Sequence, residues 1–325
     1  MKITNQIFTG DCRQVLLEFP ADSISACITD PPYNYEFIGH NWDSKEIERR
    51  LQKVKDSSSK TLIKNIPYGS GLAGGVRNAQ WYKRVRENIL SYEQWCFEWA
   101  EEVFRVCKPG AIVAAFNSTR TMAHVQIAME RAGFYARDCL VYRRASGIPK
   151  GLNIQSKLKE KGMPEYQQWE GWHSCLRNEW EAIVVVQKPL VNNYFETLVE
   201  FGVGLFHAIN EDGSFQSNIL ENIPRDKNNH YNVHCTVKPV ALMEKLIDIF
   251  VPPSSEHIVL DPFAGSGTTL VAAKRLGRSY VGIEIVPEYV EIIESRLSET
   301  ELKDLLPKST TDQSYTPTLW PSDKL

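Results

Sequence analysis

Short apolar runs alternate with helical patterns along most of this 325-residue sequence. Runs rich in β-branched and small apolar residues predict strands at 24–29, 111–116, 182–186, 258–260 and 280–283. Helices are predicted at 92–107, 118–131, 239–250, 268–276 and 287–297, several with proline at the start or glycine just beyond the end. This alternation predicts an α/β fold with a mainly parallel sheet.

Three stretches interrupt the alternation. Residues 44–90 are polar and contain glycine, residues 145–178 predict loops and short helices, and the polar tail from 302 is expected to lack order. Both internal stretches are interpreted as insertions over one edge of the core, where loops often carry binding residues. The predicted division of the chain is a first half of the core at 1–143, a second insertion at 144–180, the remaining core at 181–301 and the tail at 302–325.

The charge is unevenly distributed. The chain carries 37 Lys and Arg against 40 Asp and Glu, and a net charge of −3 by itself argues against a nucleic-acid partner. Residues 44–90, however, hold eleven basic and four acidic residues, a net charge of +7, and residues 131–188 have a net charge of +4. Two basic segments on an acidic scaffold predict a face that binds a polyanion, although solvated loops would have the same composition.

The cysteines and the first residues of the sequence indicate the redox state and the cellular location to expect. The seven cysteines are scattered, odd in number and without a C-x-x-C pair, so neither a disulfide framework nor a cysteine zinc site is predicted. The seven histidines form no spaced metal cluster. No signal-peptide pattern and no uncharged run of about 18 residues occurs, so we expect a reduced, soluble and cytoplasmic protein.

The segment DPPY at 30–33 directly follows the first of these strands. Pro31 and Pro32 fix the backbone after Asp30, because each ring restricts φ and holds the preceding residue extended. The Asp30 carboxylate and the Pro31 carbonyl can then accept both hydrogens of one planar NH2 group, while the Tyr33 ring offers a stacking surface. The pattern predicts a site that aims an exocyclic amine at an electrophile; taken alone, it would also fit an ordinary turn.

The segment DPFAGSGTT at 261–269 predicts a strand end, a glycine turn and a helix start. It lacks both the third glycine of a dinucleotide fingerprint and the lysine of a P-loop. Glycines let a ligand approach the backbone closely, so a nucleoside-type ligand without a pyrophosphate fits best. Glu284 ends the next strand, where such folds accept hydrogen bonds from ribose hydroxyls.

With these two segments the sequence resembles the amino-methyltransferases of DNA, which use S-adenosylmethionine to methylate exocyclic amines of adenine or cytosine. The catalytic motif lies far ahead of the cofactor motif, which resembles the circularly permuted beta-class arrangement. The matching positions extend from about Gly10 to Leu297, nearly the whole chain apart from the tail. The resemblance implies a Rossmann-like methyltransferase fold with a mostly parallel sheet and inserted DNA-recognition elements.

The resemblance implies S-adenosylmethionine as the cofactor and assigns contacts to its nucleoside end. Asp11, in the segment GDC, would reach the amino group of the adenine. Phe263 would line the pocket, and Glu284 would accept from the ribose. No metal is implied, since direct methyl transfer needs none.

The methionine end of the cofactor would be held by a second set of residues. Asp261 would lie near its amino group, and the backbone of Gly265 and Gly267 would pass close beneath it. Thr236 and Lys238, in the segment TVKP, are the candidates for its carboxylate. Lys238 would equally fit an ordinary lysine at a helix start.

The resemblance implies double-stranded DNA as the partner and places target-recognition elements in the second insertion, with 146–153 as a DNA-facing loop. The candidate DNA contacts are Lys53, Lys55, Arg84, Arg143, Arg144 and Lys150. Trp169, Trp172 and Trp180 would either stack on bases or build a small subsidiary core, and we favour the core. Whether a second copy of the chain or a cognate restriction endonuclease takes part is left open.

The resulting hypothesis is a site-specific DNA methyltransferase that transfers a methyl group to N6 of a flipped-out adenine. Asp30 favours adenine, because the cytosine-N4 enzymes more often carry serine at that place. The same chemistry on cytosine N4, on RNA or on protein stays open, as does a catalytically silent nucleic-acid-binding protein.

Overall fold

The computed structural model describes residues 3–33, 79–144, 151–224, 226 and 237–302, with the backbone alone at 79–85. The strands are β1 (Gln6–Thr9), β2 (Ile24–Thr29), β3 (Cys107–Asn117), β4 (Tyr135–Arg143), β5 (Trp180–Gln187), β6 (Ile219–Leu220), β7 (Ile258–Asp261) and β8 (Ser279–Glu284). The α-helices are α1 (Cys12–Val15), α2 (Ala79–Val106), α3 (Met122–Arg131), α4 (Ile154–Glu160), α5 (Tyr194–Phe201), α6 (Val240–Phe250), α7 (Thr268–Arg275) and α8 (Pro287–Ser298). Short 3₁₀ helices occupy Leu16–Glu18 and Pro164–Trp169.

The eight strands form one sheet in the order β1-β8-β7-β2-β3-β5-β4-β6. All neighbouring pairs are parallel except those of β5, which runs antiparallel to both β3 and β4. The predicted α/β fold with a mostly parallel sheet is therefore confirmed. β5 is the one reversed strand among the described residues, so its first residues lie at the edge where the other strands end, and this edge carries the site.

A hydrophobic core lies on each face of the sheet. On one face Leu246 of α6 and Leu270 of α7 pack against the central strands, and both are fully buried. On the other face Trp99 of α2 and Met129 of α3 do the same. Burial of this kind stabilises a fold by about 25 cal/mol per Å² of apolar surface, so strands buried on both faces form the rigid base of the site.

Each predicted strand and helix has a counterpart, and the largest difference concerns α2. This helix begins at Ala79 rather than at 92, so the last part of the basic stretch 44–90 is helical and not a loop. Polar, basic residues suit an exposed helix as well as a loop, and the sequence pattern did not separate the two. Residues 34–78 lie outside the described part of the chain.

Strand β3 is longer than predicted. It begins at Cys107 and includes Pro109 and Gly110, which were expected to end the preceding helix and separate it from the strand. Its register with β2 shifts between Ile24 and Ala26, and this irregularity accommodates the proline and the glycine beside the ladder.

Three strands and two helices escaped the sequence prediction. The strands β1 and β6 are short edge strands, and β4 carries charged residues at Arg137, Asp138 and Arg143 that obscure its alternation. The missed helices are α1 and α5. Asn193 caps α5 by accepting from the backbone N of Glu196 at 2.9 Å, a local signal that was available in the sequence.

The second insertion is partly described and holds α4 and the 3₁₀ helix at Pro164–Trp169. The rings of Trp169 and Trp172 contact each other edge to face, but the two residues are 40% and 61% exposed. The favoured interpretation of a small core is therefore wrong for these two, because the short helices offer too little apolar surface to cover the rings. Trp180 is half-buried at the start of β5.

Several predictions fall outside the described residues: most of the loop 146–153, and the tail beyond 302. Within the described residues the cysteines Cys12, Cys27, Cys96, Cys107, Cys139 and Cys175 are free. No helix of this part of the chain is long and apolar enough to cross a membrane.

Candidate active site

The two sequence motifs meet at the centre of the sheet. β2 and β7 are parallel neighbours, so Asp30, just after β2, and Asp261, at the end of β7, lie at the same edge. The hydroxyl of Thr29 donates to Asp261 Oδ1 over 2.7 Å and joins the two strand ends directly. Ligand sites of open α/β sheets form at this edge.

A buried chain of hydrogen bonds anchors the DPPY turn to α2 and to the end of β3. The hydroxyl of Tyr92, on α2, donates to the Pro32 carbonyl at 3.0 Å, and Asn117 Nδ2 donates to that hydroxyl at 2.7 Å. Asn117 in turn accepts from the hydroxyl of Thr121. Because a buried polar group that loses its partner is costly, these bonds hold the turn in one conformation.

Both carboxylate oxygens of Asp30 have protein donors. The Tyr33 hydroxyl donates to Oδ1 at 2.5 Å, and the Lys238 ammonium donates to Oδ2 at 2.6 Å. Lys238 also contacts the Tyr33 oxygen at 3.1 Å and Glu181 Oε2 at 3.2 Å. Asp30 therefore belongs to a cluster of two carboxylates, one ammonium and one phenol.

The pKa values in this cluster follow from burial and charge. Burial, with the carboxylates of Asp30 and Glu181 beside it, raises the pKa of Tyr33 well above its usual value, so the hydroxyl stays neutral and donates. Burial lowers the pKa of Lys238, but the same two carboxylates outweigh that effect and the pKa is raised. Lys238 is thus a charged ammonium although its side chain is only 8% exposed.

Glu181 was missed by the sequence analysis. It is the second residue of β5, and the antiparallel direction of that strand brings it to the active edge. Its other oxygen pairs with Arg144 at 3.1 Å. A lone carboxylate at the start of an apolar strand gives no local signal, so the sequence alone could not have assigned it to the site.

The glycine turn after β7 is shaped for close approach. Gly265 and Gly267 have φ values of +54° and +78°, and Gly267 caps the start of α7. A Cβ on Gly267 would lie 2.8 Å from Cγ2 of Ile293 on α8, so no other residue fits there without displacement. The turn therefore presents bare backbone at the edge of the sheet, as the sequence predicts for a nucleoside-type ligand.

Two buried carboxylates flank this turn. Glu284 accepts from the backbone N–H of Gly265 at 2.8 Å and of Val286 at 3.0 Å, yet burial raises its pKa to about 7. Burial likewise raises the pKa of Asp261 to about 6, in spite of hydrogen bonds from hydroxyl and backbone groups. Carboxylate oxygens have about four lone-pair sites in all, so Glu284 can accept from a ligand donor in addition to these backbone groups.

An aromatic and charged wall stands beside the turn. The ring of Phe263 packs on Trp95 and Trp99 of α2, with centroid distances of 5.4 and 5.5 Å. Next to Trp95 lies a cavity of about 500 Å³, which Arg13 and Glu98 also line. Trp95 is an aromatic residue in the interior of a helix, and its sequence context gives no signal that distinguishes a ligand contact from core packing.

Asp11 is tied to the same wall. It caps α1 by accepting from the Arg13 backbone N at 2.9 Å, and its carboxylate pairs with the guanidinium at 2.6 Å. Hydrogen bonds from Arg13 lower the pKa of Asp11 although burial opposes them. Arg13 pairs in addition with Glu98 of α2 at 2.6 Å, so Asp11 is held beside the aromatic wall as an ionised acceptor.

The candidate DNA contacts are only partly described. Arg143 is exposed and pairs with Glu221 at 3.1 Å, and Arg144 reaches Glu181 of the Asp30 cluster. Arg84 lies in α2, where only the backbone is described. Lys53, Lys55 and Lys150, together with the cofactor candidate Thr236, lie outside the described residues.

Proteins of known structure share this fold. The PvuII DNA methyltransferase, described as cytosine-N4-specific, superposes with a TM-score of 0.55 at 17% identity, covering 90% of this chain and 86% of that one. The protein TTHA0409 of Thermus thermophilus, solved in complex with S-adenosyl-L-methionine, gives a TM-score of 0.52 at 21% identity, covering 90% of this chain and 94% of that one. The fold is thus that of the DNA methyltransferases.

Sequence comparison extends the likeness from fold to family. The type II methyltransferase M.HindIII of Haemophilus influenzae is 30% identical over 292 residues, which cover 86% of this chain and 90% of that protein. The type II methyltransferase M.HinfI of Haemophilus influenzae is 25% identical over 299 residues, covering 91% and 68%. The pattern of the N6/N4 DNA methylases matches residues 24–295. The chain belongs to this DNA methylase family.

Proposed function

We propose that this DNA methyltransferase transfers a methyl group from S-adenosylmethionine to the N6 amine of adenine in duplex DNA. The observation that carries the proposal is the junction of the two motifs through the hydrogen bond from Thr29 to Asp261. This junction places Asp30, which would accept hydrogen bonds from the target amine, next to the glycine turn. A methyl acceptor and a methyl donor bound at these two places would therefore meet at the same strand ends.

At the acceptor end, the chain supplies orientation. Asp30 and the Pro31 carbonyl accept the two amine hydrogens and turn the nitrogen lone pair toward the methyl group. Tyr92 holds the turn that carries both acceptors, and it is fully buried. Alignment of this kind can supply about 7–11 kcal/mol of the barrier reduction when the geometry is near ideal.

At the donor end, the residues present fit a nucleoside ligand with a sulfonium group. When bound, S-adenosylmethionine supplies an electrophilic methyl group. Glu284 would accept from the ribose hydroxyls, the Asp11 carboxylate would accept from the adenine amino group, and Phe263 and Trp95 would line the ring. The bare backbone at Gly267 and the adjacent buried carboxylate of Asp261 suit a cationic group that lies close to the turn.

The target base inside a duplex is out of reach of this edge, so the enzyme flips it out at a cost of a few kcal/mol. The basic segments at 44–90 and 131–188 hold the phosphates, and contacts in a groove select the sequence. Tyr33 stacks on the flipped base. Adenine is favoured over cytosine because Asp30, rather than serine, opens the motif.

Transfer of a labelled methyl group tests the proposal. Purified enzyme, tritiated S-adenosylmethionine and duplex DNA should yield labelled DNA, and digestion should give N6-methyladenine as the labelled nucleoside. Asp30→Ala should abolish transfer and leave cofactor affinity nearly unchanged. Asp22→Asn is the matched control, because this carboxylate pairs with Lys188 before β2, at the opposite end of the strand from Asp30, and should not affect transfer.

Each alternative has its own outcome in this experiment. Label in N4-methylcytosine would move the acceptor from adenine to cytosine. Label on RNA or protein but not on DNA would overturn the proposal. A protein that binds DNA and cofactor but transfers no label would be the catalytically silent alternative.

A further inference from the structure

The Lys238 ammonium is fully engaged by protein acceptors. A lysine has three N–H donors, and three oxygens surround this one: Asp30 Oδ2 at 2.6 Å, the Tyr33 hydroxyl at 3.1 Å and Glu181 Oε2 at 3.2 Å. The rings of Tyr33 and Phe116 flank the ammonium with centroid distances of 5.3 and 5.0 Å. No donor is left over for the carboxylate of a cofactor.

Among the described residues, the charged groups that form this ion-pair cluster balance one another. Asp30 and Glu181 are the two carboxylates, and Lys238 and Arg144 are the two cations, with Arg144 bound to the far oxygen of Glu181 at 3.1 Å. The side chains of Glu181 and Asp30 are 15% and 20% exposed. Charges this far from water persist only when they are paired, so removing one member changes the state of the others.

Glu181 gives the Lys238 ammonium a second ion-pair partner besides Asp30. Asp30 accepts the substrate amine in the proposed function, but in the structure its Oδ2 is occupied by Lys238 and its Oδ1 by Tyr33. An incoming amine must share or replace one of these donors. Because Glu181 Oε2 lies only 3.2 Å from Nζ, the ammonium can keep an ion pair when the amine takes its place on Asp30.

We infer that Lys238 and Glu181 are positioning residues for the methyl acceptor: Lys238 holds the Asp30 carboxylate in place, and Glu181 retains the ammonium when the target amine binds. The inference rests on the proposed function, and it moves Lys238 from the methionine carboxylate to the amine site. Within the described part of the chain, the charged and titratable groups that surround Asp30 are Tyr33, Tyr92, Glu181, Lys238 and Asp261, with Arg144 behind Glu181.

Two ligands distinguish a role of Lys238 at the amine site from a contact between Lys238 and the carboxylate of the cofactor. S-adenosylhomocysteine carries the amino-acid carboxylate, and 5′-methylthioadenosine lacks it. Calorimetric titration of Lys238→Met should show nearly the wild-type dissociation constant for both ligands. A loss of about tenfold or more for S-adenosylhomocysteine alone would assign Lys238 to the cofactor and overturn the inference. This comparison needs no DNA, so it stands even if methyl transfer to DNA fails.

Kinetics test the positioning role. With saturating cofactor, Lys238→Met should lower kcat by about 100-fold, while KM for DNA changes much less. Glu181→Gln should also lower kcat, because the ammonium loses the carboxylate that retains it when the amine binds. Lys238→Arg should restore part of kcat, because it returns a cation beside the Asp30 carboxylate.

The controls separate positioning from folding. Lys188→Met removes another largely buried lysine, which pairs with Asp22 and with backbone carbonyls away from the site. It should lower the thermal midpoint without lowering kcat. If Lys238→Met fails to fold, Glu181→Gln and Lys238→Arg carry the test. A kcat near the wild-type value in Lys238→Met or in Glu181→Gln, or a KM for DNA that rises as much as kcat falls, would refute the inference.

Discussion

Glu284→Gln is the most informative test of the proposed cofactor site, because the structure gives this carboxylate an unusual proton affinity. Burial raises its pKa from 4.5 to about 7, so ionising it in the folded protein costs about 3 kcal/mol more than in water. Ribose hydroxyls donate best to the ionised form. Binding therefore favours loss of the proton, and cofactor affinity should depend on pH.

The size of the effect follows from the pKa. At pH 6 about a tenth of Glu284 is ionised and at pH 8 about nine tenths, so the dissociation constant should be about tenfold weaker at pH 6. Glutamine does not titrate, and a hydrogen bond to a charged group is worth about 1.5–3 kcal/mol. Glu284→Gln should thus bind about ten- to a hundredfold more weakly at pH 8 and lose the pH dependence.

Calorimetry with 5′-methylthioadenosine measures this without interference from a titrating amino-acid tail. Titrations at pH 6, 7 and 8 should be made on the wild type, on Glu284→Gln and on Glu288→Gln, an exposed control near the start of α8. A flat wild-type profile, or the same slope in Glu284→Gln, would refute the assignment of the ribose to Glu284.

Stability without ligand should show the opposite trend. The folded pKa of Glu284 lies above its unfolded value, so the folded protein holds a proton that the unfolded chain releases between pH 4.5 and 7. The free energy of unfolding should therefore decrease as pH rises through this window. The decrease should be smaller in Glu284→Gln, as measured by urea unfolding at pH 5 and pH 8.

Three further predictions concern the turn, the glycine loop and the DNA face. Tyr92→Phe removes the hydroxyl that anchors the DPPY turn and should cost about 1–2 kcal/mol in urea unfolding, with a lower kcat and unchanged cofactor affinity; unchanged kcat would show that the turn needs no anchor. Gly267→Ala meets a left-handed φ and the Ile293 side chain, so it should lose about 2 kcal/mol or more and weaken cofactor binding, whereas Gly213→Ala, at φ +81° in open space, should show only the smaller backbone cost. Charge reversal of Lys53, Lys55 and Arg84 should weaken DNA binding and make the affinity less dependent on salt concentration. An unchanged slope of log affinity against log salt concentration would exclude these residues from the interface.

The predicted strands and helices came from local patterns, and these were sufficient wherever neighbouring residues alone decide the conformation. The strand, glycine turn and helix at 258–275 and the strand before Asp30 lie where expected. α2 was misjudged because a basic helix and a basic loop have the same composition, and the helix begins thirteen residues earlier than predicted.

The residues of the candidate site also differ in whether a local sequence pattern indicates them. Asp30, Tyr33, Asp261 and Glu284 could be named from short motifs, because each stands at a fixed distance from a strand end. The cluster around Asp30 could not be predicted from short motifs, since Lys238 is 208 residues away from Asp30 along the chain. Glu181 reaches it only because β5 is reversed in the sheet.

The sequence by itself determined the elements, the two motifs and the family resemblance, because these depend on residues that are close together along the chain. Only the tertiary structure decided the partners of each charge. Strand order and direction set those distances, and a buried ammonium binds whichever carboxylates the fold brings within about 3 Å of it. For Lys238 these are Asp30 and Glu181.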